Sequence, residues 1–196
     1  MVRSIIKNQS GRFILNPKEQ NQLKRLKVLN IILMMTFVFI IPPSLNAQSK
    51  RASQYKITYY GFGPVKVGMK VSAASKALGI PFTELEKGND CHYANPKRLF
   101  KDVGFMVVNG RIARVDVDTR GYVTAAGAKI GDTEAQIKRL YKGKVAVSPH
   151  KYTDGRYLTV QVDGGKFGIV FETDGKRVTH IRAGKAPEFG YIEGCS

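Results

Sequence analysis

Two blocks of the chain carry the same local pattern, and this recurrence narrows the available folds more than any other feature. Gly104-Phe-Met-Val-Val-Asn109-Gly110-Arg-Ile112-Ala-Arg-Val115-Asp-Val117 is matched by Gly168-Ile-Val-Phe171-Glu-Thr-Asp174-Gly175-Lys-Arg-Val178-Thr-His-Ile181-Arg-Ala183. Asn-Gly and Asp-Gly between apolar runs are strong signals for tight hairpins, because those residues tolerate the positive φ that such turns require. After each turn the apolar residues fall at i, i+3 and i+5: Ile112, Val115 and Val117 in one block, Val178, Ile181 and Ala183 in the other. Strict alternation fails at the same place twice, which predicts a shared β-bulge.

A second match lies upstream of each hairpin. Lys66-Val67-Gly68 is followed by Met69 to Leu78, and Lys129-Ile130-Gly131 by Asp132 to Tyr141, without a gap. Ala74 and Leu78 take the places of Ile137 and Tyr141 at helical spacing. In the later copy Asp132 or Thr133 can cap a helix whose positive end holds Glu134, with Lys138, Arg139 and Lys142 toward the other end. A further strand is predicted over Leu158 to Val162, leading through Gly164-Gly165 to Phe167, with a counterpart around Cys91 to Tyr93. Together these features predict an α+β fold of two tandem helix-plus-antiparallel-hairpin repeats, about 61–119 and 120–184. The repeats would form one antiparallel sheet with the helices on one face and the other face open.

The stretches Val67-Gly68-Met69-Lys70 through Ala77-Leu78-Gly79 and Ile130-Gly131-Asp132-Thr133-Glu134 through Leu140-Tyr141 resemble the superfamily of the β-lactamase inhibitor protein and the SmpA/OmlA outer-membrane assembly lipoproteins. The resemblance covers residues 61–184. It implies an exported protein that binds another protein on the open face of its sheet. Two tandem copies are similar to the inhibitor protein, whereas the lipidated Cys of the assembly lipoproteins has no counterpart here. It transfers architecture and assigns no contact residue.

The first 47 residues read as an export signal. Residues 1–27 hold seven basic side chains against the single acid Glu19, and Val28 to Ile41 are apolar except for Asn30 and Thr36. Pro42-Pro43 and the small-residue stretch to Ala47 follow, which is the order of a secretory signal cleaved between Ala47 and Gln48. The apolar run falls short of the roughly 20 residues a membrane-spanning helix needs. An uncleaved signal anchor and a misassigned start codon are the competing readings. Residues 48–54 read as a flexible basic tail and 55–196 as a single compact domain. The export reading places the protein in a periplasm or outside the cell, with no stable membrane span after cleavage.

Composition limits the partners rather than the fold. The chain is 43% apolar and 10% aromatic, which excludes a disordered polymer. Its formal charge is +17, and +11 remains once residues 1–47 are set aside. That excess favours an anionic envelope or cell-wall polymer as an alternative partner, held by salt-sensitive contacts. Even spacing of Lys and Arg argues against a dedicated nucleic-acid groove.

Cys91 and Cys195 are the only cysteines, and an even count in an exported chain predicts one disulfide. Neighbours on a strand point to opposite faces, so His92 cannot activate Cys91 as a nucleophile. Two cysteines and three scattered histidines lack zinc spacing. Gly61-Phe-Gly63-Pro-Val-Lys-Val-Gly68 fits no phosphate-loop spacing, and no cofactor is implied. Asp116 and Asp118 share one strand face and read as solvated ion pairs with Arg114 and Arg120, while His92, His150 and His180 read as surface histidines. The best contact candidate is the loop His150, Tyr152, Arg156 and Tyr157, with Arg120 and Tyr122 as companions, because it mixes aromatic and basic groups around a turn. The sequence thus points first to a non-enzymatic protein-binding module, either inhibitor-like or an envelope assembly factor. A polymer-binding module comes second, and a hydrolase using Asp116, Asp118 or a His third.

Overall fold

The computed structural model describes residues 5–7, 13–15, 18, 21, 24, 55–86, 88–97, 100 and 102–195. The chain divides into two units, Met1–Ser44 and Leu45–Ser196. In the first, β1 (Ile5–Lys7) pairs antiparallel with β2 (Phe13–Leu15). The apolar stretch 28–41 expected to belong to an export signal, the expected cleavage junction Ala47–Gln48 and the expected tail 48–54 lie outside the described residues. Among the described residues no helix is long and apolar enough to cross a membrane.

The second unit holds two sheets. The smaller consists of β3 (Lys56–Thr58), β4 (Gly61–Phe62), β5 (Val65–Lys66) and β10 (Val123–Thr124), in the order β10-β3-β4-β5 with β10 parallel to β3. The larger comprises β6 (Phe82–Leu85), β7 (Cys91–Pro96), β8 (Val103–Val108), β9 (Arg111–Val117), β11 (Val145–Pro149), β12 (Arg156–Val162), β13 (Phe167–Thr173) and β14 (Val178–Lys185). Its order is β11-β12-β13-β14-β9-β8-β7-β6, antiparallel throughout. This unit also holds two α-helices, α1 (Val71–Leu78) and α2 (Glu134–Leu140).

This architecture overturns the α+β expectation of helix-plus-hairpin repeats in a single sheet. Strands dominate, they fall into two sheets of four and eight, and each helix is followed by four antiparallel strands rather than a hairpin. The local reason is that the extra strands carry weak signals. β4, β5 and β10 are two residues long, and β11 is exposed along most of its length.

Individual elements follow from local chemistry. Asn109 (φ 50°) and Gly110 (φ 72°) make the two-residue turn between β8 and β9. At the other turn the Asp174 carboxylate accepts hydrogen bonds from the amides of Lys176 (2.8 Å) and Arg177 (2.7 Å), which closes a longer loop. Register shifts occur in both hairpins, where Ala113 and Thr179 are the extra residues. Thr133 caps α2, its Oγ1 accepting from the Gln136 amide (3.2 Å) while the Gln136 side chain accepts from the Thr133 amide (2.7 Å). The core lies on one face of the large sheet. There Phe105, Val115, Phe171 and Ile181 pack with Ile57 and Phe62 of the small sheet, and with Leu78 and Ile137 of the helices.

Candidate functional site

Residues that alternate with this core point to the opposite face of the large sheet, and several of them are charged. Arg114 and Asp116 stand on β9, and His180 and Arg182 on the adjoining β14, with Arg182 directly opposite Asp116 in the ladder. Glu172 of β13 stands opposite His180. The Arg114 and Asp116 side chains are only 3% and 8% exposed, so each must be satisfied by a partner.

Arg114 is the hub. Its Nε donates to Asp116 Oδ2 (2.9 Å), its Nη2 to the Tyr93 hydroxyl (2.7 Å), and its Nη1 to the carbonyls of Glu188 (2.8 Å) and Tyr191 (2.7 Å). Tyr93 in turn donates to Asp116 Oδ2 (3.3 Å). Burial and the Asp116 charge push the Tyr93 phenol up to about 12, so it stays protonated. Burial disfavours ionisation of Asp116, but hydrogen bonds from His180 and Arg114 outweigh it and hold the carboxyl below its ordinary range.

His180 sits between two carboxylates. Its Nε2 is 3.2 Å from Asp116 Oδ1, and its Nδ1 hydrogen-bonds Asp118. Burial works against its charge, yet both carboxylates favour the imidazolium, and its pKa rises to about 9. At neutral pH both ring nitrogens therefore donate. A second cluster adjoins, in which Arg182 Nη1 donates to Glu172 Oε2 (3.1 Å) and His150 Nε2 meets Glu172 Oε1 (2.7 Å). The Tyr157 ring stacks on His150 at 4.6 Å and lies 5.3 Å from the Arg182 guanidinium.

These groups line an open cleft of about 850 Å³. Its described lining carries five carboxylates (Asp102, Asp116, Asp118, Glu172 and Glu193) against Arg114, Arg182 and His180, a balance opposite to that of the chain as a whole. The C-terminal segment forms one wall with Ile192, Glu193 and Gly194. Phe189 anchors that segment by packing on Gly168, where a Cβ would come within 2.6 Å of the ring. The disulfide between Cys91 and Cys195 ties its end to β7. Tyr152, Tyr191 and Ile192 are exposed beside this wall, at 61%, 44% and 37%. Tyr152 and Lys151 both bond Glu193.

The six residues singled out in the sequence do not form one surface. His150 and Tyr157 join the second cluster, and Tyr152 stands at the wall. Arg156 instead pairs with Glu134 of α2 (2.8 Å). Arg120 lies against Gly131, and Tyr122 packs on Phe62 with ring centroids 5.4 Å apart. The expected solvation is corrected for Asp116, which is buried with Arg114 and His180 as partners, whereas Asp118 is exposed as expected. The surface reading of the three histidines is corrected as well: His180 is held between Asp116 and Asp118, His92 is buried against Glu84, and the His150 side chain is buried against Glu172. Sequence reasoning missed Arg182 and Glu172. Their signal was present, because both fall on the polar side of the alternation that the bulges define.

No protein-family model matches the chain, and no curated protein matches it. Among solved structures it is similar to the crystal structure of the uncharacterized protein yfeY from Escherichia coli. Identity is 15% and the TM-score 0.44, over 66% of this chain and 99% of that chain.

Proposed function

We propose that the protein is an exported, non-enzymatic protein-binding module that meets its partner at this cleft and its aromatic rim. One observation carries the reading: a concave face whose cations are each paired with a carboxylate and on which carboxylates are in excess, bordered by exposed Tyr152, Tyr191 and Ile192. Paired charges confer orientation, while aromatic anchors at a rim supply contact energy. The likeness of the helix starts to the β-lactamase inhibitor superfamily points the same way. Export is supported by the basic and apolar leader and by the disulfide, which persists in an oxidising compartment. Capture from envelope fractions or medium tests the reading. The wild-type chain should retain a partner that a Tyr191→Ala/Ile192→Ala variant holds at least about tenfold more weakly. Equal capture by both, or none by the wild type, overturns it.

Hydrolysis has one observation in its favour, since Asp116, Asp118 and His180 meet in a single cluster. An imidazolium with a pKa of about 9 has no lone pair to accept a proton at neutral pH, which places this reading behind contact. Turnover of any substrate in a hydrolase panel that disappears in His180→Gln would reverse that order. An anionic polymer is a poor occupant for a cleft with more carboxylates than cations. Salt-sensitive retention on such a polymer would locate it elsewhere on the basic surface.

A further inference from the structure

The C-terminal segment is fastened unevenly. Up to Tyr191 it is locked down: the Ala186 amide donates to Lys166 O (2.8 Å), Lys185 pairs with the buried Glu188 (2.7 Å), and Arg114 holds the carbonyls of Glu188 and Tyr191. Phe189 is buried against Tyr157 and Val170. Beyond Tyr191 the fastening changes. Among the described residues no backbone hydrogen bond ties residues 192–195 to the sheet. What holds them is the exposed contact of Glu193 with Lys151 and Tyr152, and the bond from Cys195 to Cys91. An exposed ion pair of this kind contributes little, which leaves the disulfide as the principal fastener.

This loosely held stretch forms part of the cleft. Ile192, Glu193 and Gly194 line it, and Gly194 lies so close to Tyr93 that a Cβ there would come within 2.9 Å of the phenol oxygen. Cys91 and Cys195 are half-buried and border a surface depression with Lys151 and Tyr191, within reach of an attacking thiolate. We propose that residues 192–195 are a redox-held wall: reduction of Cys91–Cys195 frees the wall, uncovers Tyr93 and widens the cleft, while the anchor at 186–191 stays in place. The regulatory meaning of this rests on the reading of the cleft as a contact surface, but the opening itself does not.

The reductant is a dithiol of the dithiothreitol or thioredoxin class. One of its thiolates attacks a protein sulfur and releases the other as a thiolate. Its second thiol then displaces the remaining protein sulfur and closes the reductant's own disulfide. Two electrons pass to the protein, and Cys91 and Cys195 each take up a proton.

Tyrosine nitration of the full-length chain, mapped by mass spectrometry, tests the proposal. Four forms are compared: oxidised protein, protein reduced with dithiothreitol and alkylated, Cys195→Ser, and a chain ended after Tyr191. Tyr93 should be modified several-fold faster in the last three than in the first, while Tyr157, beneath the anchor, keeps its rate. Glu193→Ala in the oxidised protein should leave Tyr93 protected. The proposal fails if Tyr93 is as protected after reduction as before, if Tyr157 rises in step with it, or if the shortened chain gains nothing. It also fails if Glu193→Ala alone exposes Tyr93. No partner enters these measurements, so an unsuccessful capture leaves them standing, and a wall that stays shut leaves the capture result standing.

Discussion

On one face of the eight-stranded sheet, Phe105, Phe171 and Ile181 are dry because the helices and the small sheet cover them. On the other, Arg114, Asp116 and Arg182 reach nearly the same burial with a charge apiece. The first face is stabilised by removing apolar area from water, about 25 cal/mol per Å², and any well-filled packing serves. The second depends on particular partners, because each buried charge is tolerable only while its counterpart stays in place. The apolar face therefore tolerates repacking among hydrophobic residues, while the polar face fixes which residues must stand where.

The largest effects come from breaking either face, and repair tells the two apart. Phe171→Ala and Arg114→Ala should each cost about 3–5 kcal/mol in urea unfolding, the first through a cavity and the second because buried Asp116 loses its guanidinium and the Glu188 and Tyr191 carbonyls lose their donor. Joint replacement of Arg114 by Met and Asp116 by Leu should recover much of the polar loss, whereas no second substitution that removes atoms restores Phe171→Ala. A double variant as weak as Arg114→Ala would erase the contrast.

Titration gives the next effect, and it belongs to the polar face alone. His180 has a folded pKa of about 9 against an unfolded value of 6.5. Its contribution is complete below pH 6.5 and is lost as pH rises through about 9, amounting to about 3 kcal/mol. Asp116, whose pKa is lowered, contributes above the ordinary carboxylate range and loses that contribution as pH falls through its depressed value. Urea midpoints of the wild type and His180→Gln should therefore differ most near pH 6 and converge toward about pH 10. A constant difference across that range would show that the two carboxylates do not hold the proton. The smallest effect is Gly168→Ala, where the added methyl meets the Phe189 ring at 2.6 Å. It should cost about 1–3 kcal/mol by thermal unfolding, and less in a Phe189→Leu background.

The two faces also differ in how far the sequence discloses them. Both hairpins, the bulges at Ala113 and Thr179, the capped start of α2 and the disulfide were legible because each rests on a short-range or counting signal. β6 and β11 were not: β6 alternates in burial, but its Phe-Thr-Glu-Leu sequence does not alternate apolar with polar, and β11 is exposed along most of its length. The small sheet escaped because a two-residue strand has no period. The polar face was legible as a face and misread in character. Arg114, Asp116, His180 and Arg182 alternate as a solvent-facing row would. Arg114 is buried because residues 186–191, which carry no regular pattern, fold back across it, while Asp116 is enclosed by Arg114, Tyr93 and His180, and Arg182 by Glu172 and Tyr157.

The middle of the large sheet is where β9 meets β14, and those strands stand far apart along the chain: Asp116 and His180 are 64 residues from one another. To either side, β6 to β9 and β11 to β14 each pair with sequence neighbours. Chain-closure entropy thus falls mostly on the central ladder, the pairing that ought to form late in folding. A lower φ-value for Ile181→Val than for Phe105→Leu would register that order. The charged cluster straddling the ladder is then the last element to find its partners, which ties formation of the cleft to completion of the fold.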